Sequence, residues 1–167
     1  MATLNIAIGI PGAGKSTYLK KLNAVYVSSD EIRKELFGDE GVQDNPQKVF
    51  AVLNSRVSKA LKEGKDVTYD ATNVNRKSRK QIFKDYKGVA DKIVAYYFDI
   101  PVEEAIKRNN ARQRVVPEEA IMRMYGNLNP PTLEEGFDEI LRIETVVKDG
   151  KIDTYFHVEP ERGSWLI

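Results

Sequence analysis

The sequence predicts a three-layer α/β domain: a central, mostly parallel sheet of about five strands, flanked by helices and carrying a small helical lid. Three observations carry that expectation. Apolar, β-favouring runs alternate along the chain with amphipathic helical patterns, the arrangement that builds a parallel sheet covered on both faces. The length of 167 residues suits one ordinary domain with one site, and no internal repeat, low-complexity tract or interdomain linker divides it. The first apolar run leads straight into a glycine-rich turn and a helix-like segment.

In chain order, strands are expected near Leu4–Ile10, Ala24–Ser28, Asp66–Asp70 and Asp91–Asp99. Between them, helical periodicity marks Lys15–Leu22, Ser29–Phe37, Pro46–Glu63 and Arg76–Tyr86, followed by Val102–Ala111 and Pro117–Tyr125. Pro46 and Pro117 suit first-turn positions, and Gly64 suits a C-terminal cap. Glu139–Val147 fits strand or helix; a fifth sheet strand is favoured because Lys148-Asp149-Gly150-Lys151 turns into a second extended run, Ile152–Val158. Gly38–Asn45 and Asn127–Gly136, rich in Gly, Asn, Asp and Pro, read as loops.

Composition narrows the functional classes. With 26 basic and 25 acidic residues the net charge is +1, which argues against a uniformly basic coat and requires any polyanion contact to be local. The absence of cysteine excludes disulfides, thiolate metal sites and cysteine nucleophiles, and fits a reducing compartment. No apolar run reaches membrane-spanning length, and Met1-Ala2-Thr3 runs into a strand without a signal region, so a cytoplasmic protein with no membrane partner is expected. Oligomeric state is not encoded in these features.

The run Gly9-Ile10-Pro11-Gly12-Ala13-Gly14-Lys15-Ser16 matches every fixed position of the phosphate-binding P-loop pattern. Glycines let the backbone curl around a polyphosphate, so that successive N–H groups and the following helix point at the anion. Gly12, Ala13, Gly14, Lys15, Ser16 and Thr17 are therefore the expected nucleotide contacts. Lys15 would sit between the β- and γ-phosphates, Ser16 would ligate Mg²⁺, and Thr17 would lie at the α-phosphate. The implied ligands are ATP, or another nucleoside triphosphate, and Mg²⁺. A plain glycine turn before a helix would not require Lys-Ser after the last glycine.

In open parallel sheets ligands sit outside the carboxyl ends of the strands, which draws attention to the polar residues there. Asp30, after the second strand, either takes the proton of an attacking hydroxyl or caps the next helix. Arg33 lies three residues on, so the pair reads as a grip on an acceptor bearing its own phosphate, or as a surface ion pair. Asp70, ending the third strand, either assists Mg²⁺ through a water or holds Arg33; the second is favoured, because the long apolar run usual before a metal carboxylate is missing. Asn73 is a candidate acceptor contact, with a turn or cap role as the alternative for it and Thr72. Asp99 ends the fourth strand in the same way.

Lys107-Arg108-Asn109-Asn110-Ala111-Arg112-Gln113-Arg114 carries four cations and no acid between two helices. It reads as a lid that brings arginines over a triphosphate, the alternative being a solvated basic helix end. Arg76-Lys77-Ser78-Arg79-Lys80 is a second basic cluster, read as a solvated helix face rather than a guide for a polyanion. His157 and Trp165 read as packing residues.

Taken in order, these pieces resemble the kinase domain of bacteriophage and bacterial polynucleotide 5′-hydroxyl kinases, P-loop proteins of adenylate-kinase-like fold. The resemblance covers roughly the first 140 residues and rests on Gly9–Thr17, Ser29-Asp30-Glu31-Ile32-Arg33, Asp70-Ala71-Thr72-Asn73, Arg108-Asn109-Asn110-Ala111-Arg112, Val116-Pro117 and Met122-Arg123-Met124-Tyr125. It implies that Lys15 and Ser16 bind ATP and Mg²⁺ and that Asp30 is the general base for the 5′-hydroxyl of DNA or RNA. It implies further that Arg33 contacts the phosphate next to the acceptor nucleoside, that Asp70 supports Arg33, and that Arg108 lies at the nucleotide's base or phosphates. Arg112 would stabilise the transferring phosphoryl group, with Arg114 as a second candidate. The Asp-x-Asp-x-Thr motif of the bifunctional members' phosphatase domain does not occur, so only the kinase half of end-healing is expected. Two other readings share many of these parts: a kinase for a sugar, antibiotic, nucleotide-sugar or aminoacyl-tRNA hydroxyl, and a nucleotide-binding switch without transfer activity.

Overall fold

The computed structural model describes residues 2–38, 45–112, 116–160 and 164–166, the last three by backbone alone. β1 (Thr3–Ile8) is followed by α1 (Lys15–Leu19), β2 (Val25–Ser28), α2 (Ser29–Phe37) and α3 (Pro46–Lys62). Then come β3 (Val67–Asp70), α4 (Arg76–Tyr86), β4 (Lys92–Asp99), α5 (Val102–Asn110) and α6 (Glu118–Gly126). A 3₁₀ turn at Leu133–Glu135 leads into β5 (Glu139–Lys148), β6 (Lys151–Glu159) and β7 (Ser164–Leu166).

Among the described residues the sheet has seven strands in the order β2-β3-β1-β4-β5-β6-β7: the five expected, the expected hairpin run as β6, and β7 in addition. β2 to β5 pair in parallel, and β6 and β7 add antiparallel. Between β5 and β6, Asp149 and Gly150 both adopt positive φ, 52° and 75°, the backbone that reverses a chain between paired strands. The expected hairpin therefore forms, and a further run pairs with its outer edge.

Strand alternation splits the core into two. Leu4, Ile6 and Ile8 of β1 and Ala95 and Tyr97 of β4 face α2, α3 and α4, where Ile32, Leu53 and Ile82 meet them. Ala7 and Phe98 point to the other face and pack with Leu19, Ala105 and Ile121 of α1, α5 and α6. Every named core residue is buried. The chain leaves β1 towards β2 and β3 on one side and returns through β4 and β5 on the other. The carboxyl end of β1 is thus the switch point where such sheets open a crevice.

Most expected helix boundaries hold within a residue or two. Pro46 stands in the first turn of α3, and Gly64, at φ 78°, ends it as the left-handed cap. α1 stops three residues before the expected Leu22, because the N–H groups of Lys21 and Leu22 turn back to Tyr18 and Leu19 in tight i→i+3 bonds. No described helix is long and apolar enough to cross a membrane.

Candidate active site

The loop after β1 is shaped by two glycines. Gly12 and Gly14 hold φ 86° and 84°, and a Cβ on Gly12 would come within 2.3 Å of the Ala105 carbonyl oxygen. α5 therefore lies directly behind the loop. Gly9 N–H donates to the Thr72 carbonyl at 3.0 Å, tying the loop to the end of β3. Lys15 folds back over this turn, its Nζ 3.0 Å from the Gly9 carbonyl and 3.1 Å from that of Ile10. Burial holds the Lys15 ammonium below its ordinary pKa of 10.5; Asp70 and Asp30 oppose that shift, and Arg112 adds to it.

A cavity of about 850 Å³ opens at this point. One wall is the loop and its helix: Gly12, Ala13, Gly14, Lys15, Ser16 and Thr17 all line it. Asp30 and Arg33 of α2 form a second wall, Asp70 and Thr72 the floor, and Arg108 of α5, Arg112 just beyond it and Arg123 of α6 the remaining side. Among the described residues five cationic side chains thus face two carboxylates, which supplies the local positive field that the near-neutral chain as a whole lacks.

Asp30 is not the helix cap. Ser28 fills that position, its Oγ accepting from the Glu31 N–H at 3.3 Å, which leaves the Asp30 carboxylate for the cavity. Arg33 Nη1 donates to Asp30 Oδ1 at 3.0 Å. The pair is half-buried: the Arg33 side chain is 12% exposed and that of Asp30 46%.

Three candidate residues make other contacts than the sequence suggested. Asp70 does not hold Arg33: its Oδ2 accepts from Ser16 Oγ at 3.1 Å and from the Tyr26 hydroxyl. Burial, then the bond to Asp70, pushes the Tyr26 hydroxyl well above its ordinary range, so it stays a neutral donor. Asn73 is not among the residues lining the cavity; its Nδ2 donates to the Ala7 carbonyl at 2.8 Å and its backbone takes the left-handed φ of 46°. It stitches β1 to the turn after β3. Asp99 likewise lies outside the cavity lining, accepting from Arg142 at 3.0 Å. Arg114 lies outside the described residues.

The Ser16 hydroxyl and Asp70 carboxylate, 3.1 Å apart beside the loop, are two hard oxygen donors. Mg²⁺ prefers such a set, one or two protein oxygens supplemented by phosphates and water, so these residues fit the ion.

Sequence reasoning passed over Tyr26, Phe50, Arg123 and Met124. Arg123 and Met124 stood in a quoted motif without a role. Phe50 is flanked by the buried Val49 and Leu53 and carries no signal apart from core periodicity.

Arg108 leans on Glu104, one turn earlier, with Nε 3.6 Å from Oε2. Asn109 is fully buried, and its side chain bonds both backbone groups of Val116: Nδ2 donates to the carbonyl at 2.7 Å, and Oδ1 accepts from N–H at 3.1 Å. Arg79 is also fully buried, with a two-point ion pair to Glu135 at 2.9 and 3.0 Å and bonds to the carbonyls of Asn73 and Val74. This residue of the second basic cluster is therefore internal.

Comparison with known proteins bears on the fold and on the family. A family profile described as an AAA domain matches residues 4–131. The L-seryl-tRNA(Sec) kinase of Methanococcus maripaludis is 26% identical over 150 residues, 81% of this chain and 56% of that protein. A putative bifunctional polynucleotide kinase/RNA ligase of Autographa californica nuclear polyhedrosis virus is 26% identical over 155 residues, 84% of this chain and 21% of that protein. The chain thus spans about half of the first relative and a fifth of the second. Among solved structures, a chain of the Pnkp1/Rnl/Hen1 RNA repair complex superposes with TM-score 0.69 at 29% identity, over 76% of this chain and 44% of that one. Kti12 of Chaetomium thermophilum, solved with ADP-AlF3, shares the fold at TM-score 0.66 and 16% identity, over 87% of this chain and 91% of its own. The chain belongs to the AAA domain family and carries the P-loop fold of its kinase-like phosphotransferases.

Proposed function

We propose that the protein transfers the γ-phosphoryl group of ATP to the 5′-hydroxyl end of DNA or RNA. The observation that carries this reading is that Asp30 and Arg33 share one cavity with Lys15 and Ser16, a proton acceptor and a phosphate-sized cation facing the triphosphate loop. A 5′-terminal nucleotide presents a hydroxyl and, on its 3′ side, a phosphate. The hydroxyl would meet Asp30 and the phosphate Arg33, replacing the ion pair that joins the two residues in the free protein.

In the transfer, a bond forms between the 5′-oxygen and the γ-phosphorus, and the bond from that phosphorus to the β–γ bridging oxygen breaks. ADP leaves, and the hydroxyl proton passes to Asp30. Lys15 and Arg112 neutralise charge on the transferring group, and Arg108 contacts the nucleotide beside Gly14. Ser16 and Asp70 would hold Mg²⁺, which would supply positive charge to the bound phosphates. Tyr26 fixes the orientation of the Asp70 carboxylate.

The match to a seryl-tRNA kinase supports a second reading, in which the acceptor hydroxyl belongs to an aminoacyl-tRNA or another small group. Incubation with γ-labelled ATP, Mg²⁺ and matched oligonucleotides ending in a 5′-hydroxyl or a 5′-phosphate decides between them. Label is expected on the 5′-hydroxyl strand alone, reduced about 10²–10⁴-fold by Asp30→Asn, the usual worth of a general base. Arg33→Ala should raise the KM for the oligonucleotide far more than that for ATP. ATP bound with no label on either nucleic acid would favour the second reading.

A further inference from the structure

Phe50 is the only aromatic side chain lining the cavity among the described residues. It stands in the first turns of α3, between the buried Val49 and Leu53, and is itself partly buried against the core that those residues join. Its ring is therefore braced from behind while reaching the cavity. α3 packs against α2, the helix that supplies Asp30 and Arg33, so the ring belongs to the acceptor wall.

That wall offers one group more than hydroxyl and phosphate recognition needs. A 5′-terminal nucleotide has three recognisable parts: the hydroxyl, the phosphate on its 3′ side and a flat base. A sugar or a serine attached through its carboxyl group has no planar ring beside the reacting hydroxyl. We infer that Phe50 is the platform on which the base of the 5′-terminal nucleotide stacks, making it a specificity-determining residue for nucleic-acid ends. The inference rests on the kinase reading above and names what its acceptor must carry. Every base has a π face, so the platform selects for the presence of a base rather than for its identity.

The test is a cycle between ring and base. Phosphorylation kinetics are measured with a 5′-hydroxyl oligonucleotide and with the same strand made abasic at its first position, using the unaltered protein, Phe50→Leu and Phe50→Trp. The unaltered protein should favour the intact end by about tenfold in kcat/KM, the scale of one stacked base. Phe50→Leu keeps the apolar packing and should abolish most of that preference, and Phe50→Trp should keep or enlarge it. Equal preference in the unaltered and Leu proteins, or none in the unaltered protein, overturns the platform while leaving the kinase reading intact. The second of these results needs no variant to fold. Absence of label on any 5′-hydroxyl strand overturns the kinase reading and the platform with it.

Discussion

Lys15 faces two opposing demands. In the free protein burial lowers its pKa from 10.5, whereas a bound triphosphate surrounds it with negative charge and raises it again. Between those two values the complex holds a proton that the free protein has lost. Nucleotide binding should therefore take up protons between the lowered pKa of the free protein and the raised pKa of the complex, and weaken as pH rises through that window, with no contribution from this group below it. Calorimetry of a non-hydrolysable ATP analogue, in two alkaline buffers of different ionisation heat, reads the uptake directly; identical heats would mean that Lys15 stays fully charged without its ligand. The loop's chemistry was legible because pattern and function are adjacent in sequence. The partner of Asp70 was not, because Tyr26 reaches it only through the parallel register that sets Tyr26 beside Thr68 and Ser28 beside Asp70. That register makes Tyr26 and Asp70 diagonal neighbours.

At the scale of elements, α6 is pinned at both ends. The Asn109 side chain holds Val116 just before it, and beyond it Asn129 donates to the Val74 carbonyl at 2.8 Å and accepts from the Arg76 N–H at 3.0 Å. The helix that carries Arg123 into the cavity is thus a fixed wall, tied to the turn beside the phosphate loop. Asn109→Ala removes two hydrogen bonds and leaves the Val116 backbone groups unpartnered, which should cost about 1–3 kcal/mol in denaturant unfolding. Because the arginine wall shifts with it, kcat should fall while the acceptor KM, set on α2 and α3, holds. A variant as stable and as fast as the parent would show that the clamp is dispensable. The elements themselves could be read from periodicity, but these clamps could not. A buried arginine such as Arg79 looks like its solvated neighbours Arg76 and Lys80 until the fold brings Glu135 to it.

For the molecule as a whole, the parallel half of the sheet was legible because each strand announces itself by its apolar run. The outermost strand was not, since β7 is a run of three residues that pairs with β6 alone. The charge distribution followed the same logic: a net +1 argued against a basic coat, and among the described residues one cavity brings together five cationic side chains. The second basic cluster is muted, with Arg79 internal and Arg76 and Lys80 lying beside Glu134 and Glu135. A single-stranded acceptor should then meet few cations apart from Arg33 and release few counterions. Each phosphate neutralised on a single strand contributes about −0.7 to the slope of log affinity against log salt. Binding of a 5′-hydroxyl oligonucleotide should show a slope of about −1 to −2, and Arg33→Ala should make it shallower by about 0.7. Fluorescence anisotropy across a salt series measures both values. A slope of about −5 or steeper would require a second basic track along the strand, and would move acceptor recognition from the cavity to the outer surface.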